Sequence, residues 1–493
     1  MRPLDGIGET MGARRASEFL DGLREDRREI WMDGIRIDDV TEHPATAGAA
    51  QQVASLFDLQ HDDAGDLLVT DEASGELVAA THVIPRSAAD LARRHHAIER
   101  IAHATIGLMG RSPGYLNVTM AGFAGRADVW AANGNEQGAQ NLVRFQREAM
   151  LNDWSMTHAI INPTVDKEQR EIDTGGGTVV LRKIGETMSS IIVRGARALA
   201  TLAPFADEMV VYPGQPLPPD AAAYALAFSI PVATPGLRIL CRDSLSAGAD
   251  RSWDKPFSSR FDEQDAVVIF DDVEIPKSRV FLDGDPEVNN KAMTTGWQAN
   301  VMQQTTIRAM VTLRFAWELA TRIAEAVNAT DPRTNEMLGE LWSYYELTRC
   351  ALAAAEADAH EWGNGTWFCA DTPIRAIRPT MPVWMPRVNE TIKLLGAHSL
   401  LSTPSRAELD NAELRPLIDH YYQGANQMPA EDRIRLFRAA WDFVGSGLAG
   451  RSELYERFYL ASSARMYGLA HVASRRDADL SLSGSELWPH GSR

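Results

Sequence analysis

The sequence predicts a three-part α+β fold: an N-terminal helical domain, a central β-barrel and a C-terminal helical bundle. Three observations predict it. The chain has 493 residues, more than one hydrophobic core usually organises. Its apolar residues follow helical spacing at both ends, and β-branched runs of strand length cluster between them. We therefore divide the chain into domains 1–152, 153–285 and 286–480, followed by a loose tail at 481–493.

The N-terminal domain is predicted from apolar residues that recur on one helical face. Ala16, Phe19, Leu20 and Leu23 show this spacing near the start of the chain. Short turn-rich pieces interrupt the pattern before it resumes. We therefore expect a layer of helices up to about residue 150.

The central domain is predicted from short β-branched runs that glycines and prolines separate. These runs are Thr178–Leu181, Ser190–Val193, Met209–Tyr212, Ala222–Ile230, Leu237–Leu240 and Ala266–Phe270. So many short strands in one segment are typical of a small barrel or sandwich. We predict a barrel.

The C-terminal domain is predicted from long segments with helical spacing. They are Trp297–Ala329, Thr334–Trp362, Val388–Leu401, Glu431–Val444 and Ser452–Ala473. Pro382, Pro386 and Pro404 mark corners between them, because proline ends or bends a helix. The segments together indicate a helical bundle.

Composition and charge exclude several classes of function. The formal net charge is −18 and no Lys/Arg run exceeds a pair, so we expect no nucleic-acid partner. The N-terminus lacks a signal-peptide pattern and no apolar run reaches about 18 residues, so we expect no membrane partner. Cys241, Cys350 and Cys369 form no close pair, which favours a reducing cytoplasm.

Two short motifs carry the chemistry that the sequence suggests. Arg111 and Tyr115 lie in Met109–Tyr115, and His158 lies about forty residues later in Thr157–Pro163. Three such donors on one oxygen would bind a phenol and stabilise its phenolate, because each hydrogen bond strengthens as the oxygen becomes charged. Ser112 before Pro113 is typical of an N-cap followed by proline, and a helix start favours anions.

A purely structural interpretation of these residues stays open at this point. An arginine and a tyrosine at a helix start are commonly a surface ion-pair donor and a half-buried aromatic. A histidine that enters an apolar run, such as His158, is commonly a satisfied core residue. Spacing alone does not separate the two interpretations.

The segment Gly445–Gly450 matches the glycine pattern of dinucleotide-binding turns. Helical spacing precedes it and no strand–helix–strand alternation follows, so we predict a corner between two helices instead. Such a corner can still bind phosphate through unpaired amides, and Arg451 can add a fork of donors. A tight interhelical turn explains the glycines almost as well.

Several motifs in order along nearly the whole chain carry a family resemblance. They are Arg28-Glu29-Ile30-Trp31 with Asp39–Pro44, Met109–Pro113, His158–Pro163, Ser258–Glu263 and Gly450–Glu456. On these motifs the chain resembles the oxygenase components of the 4-hydroxyphenylacetate 3-monooxygenase family. The resemblance implies an acyl-CoA-dehydrogenase-like fold whose C-terminal bundle binds FAD and assembles homodimers or homotetramers.

The resemblance also implies the reaction. A separate flavin reductase supplies reduced FAD by diffusion, and the reduced flavin forms a C4a-hydroperoxide with O2 that hydroxylates a para-substituted phenol at the ortho position. Arg111, Tyr115 and His158 would then orient the phenolic oxygen and share its charge. No metal ion is implied.

Flavin and substrate contacts follow from motif positions. The expected flavin contacts are His158, Ala159, Ile160, Thr164, Val165, Asp166, Lys167, Thr201, Ser446, Gly450, Arg451 and Ser452. The corner Gly445–Ser452 is expected to reach the flavin of a neighbouring subunit. Gly214 and Gln215 occupy the position of the family's substrate lid, beside the phenol contacts Arg111, Tyr115 and His158.

Three departures from the family pattern leave the substrate open. The lid is rich in proline where small polar residues are expected, Ser452 stands where a histidine is common, and Gly114 replaces a larger residue. The phenol is therefore either 4-hydroxyphenylacetate-like or tyrosine-derived, free or tethered to a carrier protein. The alternative is a halophenol or a nitrophenol.

Other classes of protein make different demands on the sequence. A hydroxybutyryl-CoA dehydratase of the same superfold needs three cysteines and a histidine for an iron–sulfur cluster, and the N-terminal segment contains no cysteine. An acyl-CoA-dehydrogenase-like flavoenzyme would retain FAD through purification. An interaction scaffold without flavin chemistry would have no need of the three polar donors.

Overall fold

The computed structural model describes residues 12–112, 114–458 and 462–477. The predicted tail at 481–493 and Pro113 of the predicted helix cap lie outside the described residues. The first part of the chain is mainly helical, as predicted. Its helices are α1 (Ala16–Glu25), α2 (Ala47–Asp62), α3 (Ala64–Leu67), α4 (Ala88–Ala104), α5 (Gly114–Gly125), α6 (Ala127–Trp130) and α7 (Glu136–Leu151).

The N-terminal part also contributes strands that the helical spacing does not predict. They are β1 (Ile30–Met32), β2 (Ile35–Ile37), β3 (Leu68–Thr70) and β4 (Leu77–Ala79). Strands β3 and β4 form a separate hairpin. Strands β1 and β2 instead join the large central sheet, so the first part of the chain supplies one edge of that sheet.

The central part of the chain contains most of the strands. They are β5 (Met156–Ala159), β6 (Arg182–Glu186), β7 (Ser190–Thr201), β8 (Glu208–Val211), β9 (Leu226–Pro231), β10 (Leu237–Cys241), β11 (Asp265–Pro276) and β12 (Val280–Asp283). A short helical turn, α8 (Thr174–Gly177), precedes β6. The predicted strand at Thr178–Leu181 is wrong, because Gly175–Gly177 adopt positive φ and the extended ladder starts at Arg182.

The predicted closed barrel is also wrong for the described strands, which form two sheets. One sheet has the order β2-β1-β10-β11-β7-β6 and the other has the order β12-β9-β8-β5. A bridge between Ile161, two residues after β5, and Leu199 of β7 links the two sheets. The two sheets pack face to face on one core, in which Val268 and Phe270 of the first meet Phe228 and Ile230 of the second. This is the sandwich arrangement of short strands.

The C-terminal part is the predicted helical bundle. Its helices are α9 (Pro286–Thr294), α10 (Trp297–Ala326), α11 (Pro332–Ala357), α12 (Asp371–Ile377), α13 (Met381–Gly396), α14 (Ser399–Ser402), α15 (Arg406–Asp410), α16 (Arg415–Tyr421), α17 (Ala430–Val444), α18 (Gly447–Phe458) and α19 (Ser463–Asp477). A hairpin of β13 (His360–Gly363) and β14 (Thr366–Phe368) follows α11. The long α10 is buried along most of its length and packs on α4, α5, α11 and α13.

Among the described residues, no helix combines the length and the apolar character that crossing a membrane requires.

Candidate active site

The loop that carries Arg111 leads into a helix that is buried on every side. All residues of α5, from Gly114 to Gly125, are buried, which is unusual for a helix and identifies α5 as a core element. The amide of Tyr115 donates to the carbonyl of Ser112 over 3.0 Å, so the helix starts next to the predicted cap residue. Asn300 of α10 donates to the Val118 carbonyl over 2.7 Å and ties α5 to the bundle. Tyr115 is therefore presented from a rigid support.

His158 reaches the site from the edge of the smaller sheet. It lies in β5, which pairs in parallel with β8 so that His158 is opposite Val210. Every residue of β5 is buried, and His158 exposes only 3% of its surface. The short strand thus fixes the backbone of His158 inside the protein.

The structure brings the three predicted donors together. The Arg111 guanidinium lies 3.9 Å from the centroid of the Tyr115 ring, and the Tyr115 and His158 rings meet edge to face with centroids 5.3 Å apart. All three side chains are buried. At 3.9 Å the guanidinium is in direct contact with the face of the ring, and no other group fits between them. A bound substrate must therefore contact Arg111 and Tyr115 from the side of this stacked pair.

Tyr212 is a functional candidate that the sequence did not reveal. Its hydroxyl lies 3.0 Å from Nδ1 of His158, and it is almost fully buried. Burial, and then the charge of Arg111, hold the pKa of His158 well below its ordinary value of 6.5. His158 is therefore a neutral imidazole, with Tyr212 at one ring nitrogen and Nε2 left to face another group.

The neutral state of His158 has a measurable effect on stability. We predict that the wild-type protein loses more stability than a His158→Asn variant when the pH falls from about 7.5 to about 5. Below about pH 6.5 the unfolded chain takes up a proton that the folded chain does not, because the folded pKa is lowered. The stability of the folded protein is therefore not reduced by His158 above pH 6.5, and it decreases as the pH falls from 6.5 toward the pKa of His158 in the folded protein. Thermal unfolding at both pH values measures it; equal losses would contradict a neutral buried His158.

Aromatic side chains form an apolar wall behind the donors. Tyr212 meets Phe123 of α5 edge to face with centroids 5.2 Å apart, and Trp297 of α10 lies 6.3 Å from Tyr212. Such rings exclude water and lower the local dielectric constant, which strengthens hydrogen bonds to a charged oxygen. The site therefore combines polar donors with a dry wall.

The predicted lid lies over the end of β5. A Cβ placed on Gly214 would lie 3.2 Å from the carbonyl oxygen of Ile160, so the lid backbone approaches this strand closely. Gln215 donates to Glu171 over 2.7 Å, and Asn162 donates to the same carboxylate oxygen over 2.8 Å. The lid is thus joined through Glu171 to the segment that follows β5.

The predicted flavin contacts near β5 fit a bound cofactor in two respects. Strand β5 is the last strand of its sheet, and within the described part of the chain the bridge from Ile161 to Leu199 of β7 lies beyond its end, so no ladder pairs the outward-facing backbone groups of His158, Ala159 and Ile160. The following loop, Thr164–Lys167, is exposed, with Val165 at 62%. Asp166 accepts the amide of Glu168 within this loop. Backbone donors beside an accessible loop suit a flavin ring and its polar edge.

Thr201 and the glycine-rich corner lie close to each other within one chain. Thr201 donates through Oγ1 to Asp265 over 2.8 Å, and Arg451 donates to the same Asp265 oxygen over 2.7 Å. The corner connects α17 to α18, which confirms the interhelical turn. Ser446 caps α18 by accepting the Ala449 amide over 3.1 Å.

Gly450 and Ser452 lie on the first turns of α18. Nothing lies within 4 Å of a Cβ built on Gly450, so this position faces open space, and Ser452 is half-buried. Both positions leave room for a group to approach the start of the helix. Arg451 between them is turned inward instead, toward Asp265 and Glu263.

Comparison with known proteins identifies the class to which this architecture belongs. A crystal structure of the oxygenase component of 4-hydroxyphenylacetate 3-monooxygenase, complexed with FAD and 4-hydroxyphenylacetate, matches with a TM-score of 0.90 at 32% identity, covering 94% of this chain and 97% of that one. An archaeal 4-hydroxybutyryl-CoA dehydratase from N. maritimus, 15% identical, shares the fold with a TM-score of 0.84 over 94% of this chain and 92% of that one. The chain thus has the predicted acyl-CoA-dehydrogenase-like fold.

The sequence comparisons then define the family. Residues 15–282 match the model for "4-hydroxyphenylacetate 3-hydroxylase N terminal", and residues 288–481 match its "C terminal" counterpart. The oxygenase component from Thermus thermophilus is 34% identical over 92% of this chain and 93% of its own length. The oxygenase component of a Rhodococcus 4-nitrophenol 2-monooxygenase is 30% identical over 92% of this chain and 87% of its own length. The chain belongs to the 4-hydroxyphenylacetate 3-hydroxylase family.

Proposed function

We propose that this protein is the oxygenase component of a two-component flavin monooxygenase. It uses reduced FAD and O2 to hydroxylate a para-substituted phenol ortho to the hydroxyl group. The observation that carries the proposal is the buried grouping of Arg111, Tyr115 and His158, which the family fold brings together from distant segments.

The donors act on the phenolic oxygen. The Arg111 cation stabilises negative charge, so it lowers the pKa of a phenol bound beside it. We assign the Tyr212 hydroxyl as the donor to Nδ1 of His158, which leaves the proton of the neutral ring on Nε2, available to the phenol. Ionisation raises the electron density on the ortho carbon and makes it the nucleophile. The protein thereby prepares the ring before any bond changes.

Reduced FAD together with O2 supplies the electrophilic oxygen that this ring attacks. The residues that would hold the flavin are the end of β5 with Ala159 and Ile160, the exposed loop from Thr164 to Lys167, and Thr201. Ser446, Gly450 and Ser452 at the start of α18 would contact the flavin of a neighbouring subunit, through the open face described at Gly450. Arg451 would hold the start of α18 in place and would not contact the flavin itself, since its guanidinium binds Glu263 and Asp265 of its own chain.

The lid determines which phenol is accepted. Gln215 is held by Glu171, and prolines 216, 218 and 219 stiffen the segment that follows, so the lid offers one amide and no cation to the para substituent. From the names of the relatives we propose a 4-hydroxyphenylacetate-like or tyrosine-derived phenol, with its para substituent recognised mainly by shape. The alternative substrate class is a halophenol or nitrophenol, as the name of the Rhodococcus relative indicates for that protein.

The proposed reaction requires a separate flavin reductase, and we propose that the protein forms a homo-oligomer. A flavin reductase would deliver reduced FAD by diffusion. Assembly into a homodimer or homotetramer would cover apolar side chains that are more than half exposed on α18 and α19, namely Leu454, Phe458, Tyr467 and Val472. The free thiols Cys241, Cys350 and Cys369 agree with work in the reducing cytoplasm.

A screen of para-substituted phenols tests the function. The purified protein should be nearly colourless, because reduced FAD is a diffusing substrate. With reduced FAD and O2 it should convert at least one of 4-hydroxyphenylacetate, tyrosine derivatives, 4-chlorophenol and 4-nitrophenol to its catechol. Flavin that stays bound through purification, together with no catechol from any phenol, would indicate an acyl-CoA-dehydrogenase-like flavoenzyme instead.

A further inference from the structure

Glu263 holds the backbone of Arg111 from a second element of the fold. The Arg111 N–H donates to Oε1 of Glu263 over 2.6 Å, and Glu263 is fully buried just before β11. A buried carboxylate that accepts a backbone N–H fixes that peptide in one orientation. Glu263 therefore sets the direction in which the Arg111 side chain leaves the loop.

The other oxygen of Glu263 binds the C-terminal bundle. Arg451 of α18 donates to Oε2 of Glu263 over 3.2 Å and to Asp265 over 2.7 Å. Burial raises the pKa of Glu263; burial alone would lower that of Arg451, but Asp265 and Glu263 raise it. Arg451 stays cationic as a result. Through Glu263 it ties α18 to the backbone of Arg111.

Tyr455, on the same helix, contacts the loop directly. The Arg451 guanidinium lies 4.3 Å from the centroid of the Tyr455 ring, and that of Arg111 lies 5.9 Å from it. A Cβ on Gly110 would lie 2.7 and 2.8 Å from two carbons of this ring, so only glycine lets the loop pass so close. The loop before Arg111 is thus pressed against α18.

We propose that Glu263 is a positioning residue for phenol binding, and that Glu263, Arg451 and Tyr455 form a clamp by which α18 fixes Arg111 over Tyr115. The inference rests on the proposed function, since Arg111 needs a fixed direction only if it binds the phenolic oxygen. The clamp also joins the phenol site to the start of α18, where we place contacts to the flavin of a neighbouring subunit. It acts on geometry and takes no part in bond formation.

Binding of 4-nitrophenol to the flavin-free, full-length protein tests the clamp without turnover. Its ionised form absorbs visible light, so one titration gives both the affinity and the fraction bound as phenolate. Glu263→Gln should weaken binding by about tenfold or more and lower the bound phenolate fraction. Glu274→Gln, which changes an exposed glutamate on β11, should alter neither quantity.

A second variant keeps the test independent of the buried charge. Gly110→Ala pushes the loop away from Tyr455 while Glu263 stays intact, and it should reproduce the weaker binding. A thermal unfolding curve shows which variants are folded. Either variant, folded and with wild-type affinity and phenolate fraction, would overturn the clamp. If the wild-type protein itself failed to bind any phenol in the screen, the proposed function would fall first, and the clamp with it.

Discussion

Arg111→Ala slows hydroxylation by about 100- to 1,000-fold while the affinity for reduced FAD changes by less than about threefold; this is the largest effect we expect. The reason is the position of the Arg111 guanidinium, which we place at the phenolic oxygen and away from the flavin. The Arg111 guanidinium lies 3.9 Å from the Tyr115 ring centroid and is the cation of the donor group, so its loss removes stabilisation of the phenolate and leaves the flavin contacts in place. Single-turnover kinetics and anaerobic flavin titration measure the two quantities.

Two further variants sharpen the Arg111 experiment. Arg111→Lys keeps the charge and loses the planar fork, so it should restore part of the rate. Arg93→Ala, which removes an exposed arginine on α4, is the matched control and should match the wild type. Equal losses of rate and flavin affinity in Arg111→Ala would contradict the assigned role.

The second large effect concerns His158 and the share of consumed O2 that ends in catechol rather than in hydrogen peroxide. His158→Ala should lower the yield of catechol per reduced flavin by about tenfold, with hydrogen peroxide released instead. Without its imidazole the phenolic oxygen loses one donor, so the ring is less ionised and less well oriented when oxygen is activated. Parallel assays of catechol and hydrogen peroxide measure the partition.

Tyr212→Phe separates the donor role of His158 from its packing. The variant keeps the ring that packs on Phe123 and removes the hydroxyl 3.0 Å from Nδ1, so partial uncoupling is expected. His96→Ala, at an exposed position of α4, serves as the control. Unchanged coupling in His158→Ala would remove this residue from the mechanism.

Much of the fold could be predicted because helices and strands leave local periodic signals. The helix predicted at Trp297–Ala329 is observed at Trp297–Ala326, and the strand predicted at Leu237–Leu240 at Leu237–Cys241. Whether strands close into a barrel depends on which edges meet across long stretches of chain, and no local pattern records this. The three-residue β1 was missed for the same reason, because its partner lies in β10.

The site was predictable only in part. Arg111, Tyr115 and His158 could be selected because their chemistry and the family motifs agreed. The sequence analysis placed Tyr212 in the predicted strand Met209–Tyr212 and Glu263 in the family motif Ser258–Glu263, and it gave neither residue a role in the site. Finding Tyr212 would have required the register of β5 against β8, and finding Glu263 would have required the contact between β11 and α18. Both are long-range contacts, which periodicity does not encode.

The parallel pairing of β1 with β10 has a consequence for how the chain can be divided. Ile30 lies opposite Ile239, and the sheet also contains β11. It is therefore completed only when the chain has been synthesised through β11, which is more than half of its length. Contacts between such distant residues slow folding, since a long loop must close first. We therefore expect that a fragment ending near residue 152 will not fold independently, and that proteolytic nicking there will leave the two pieces associated.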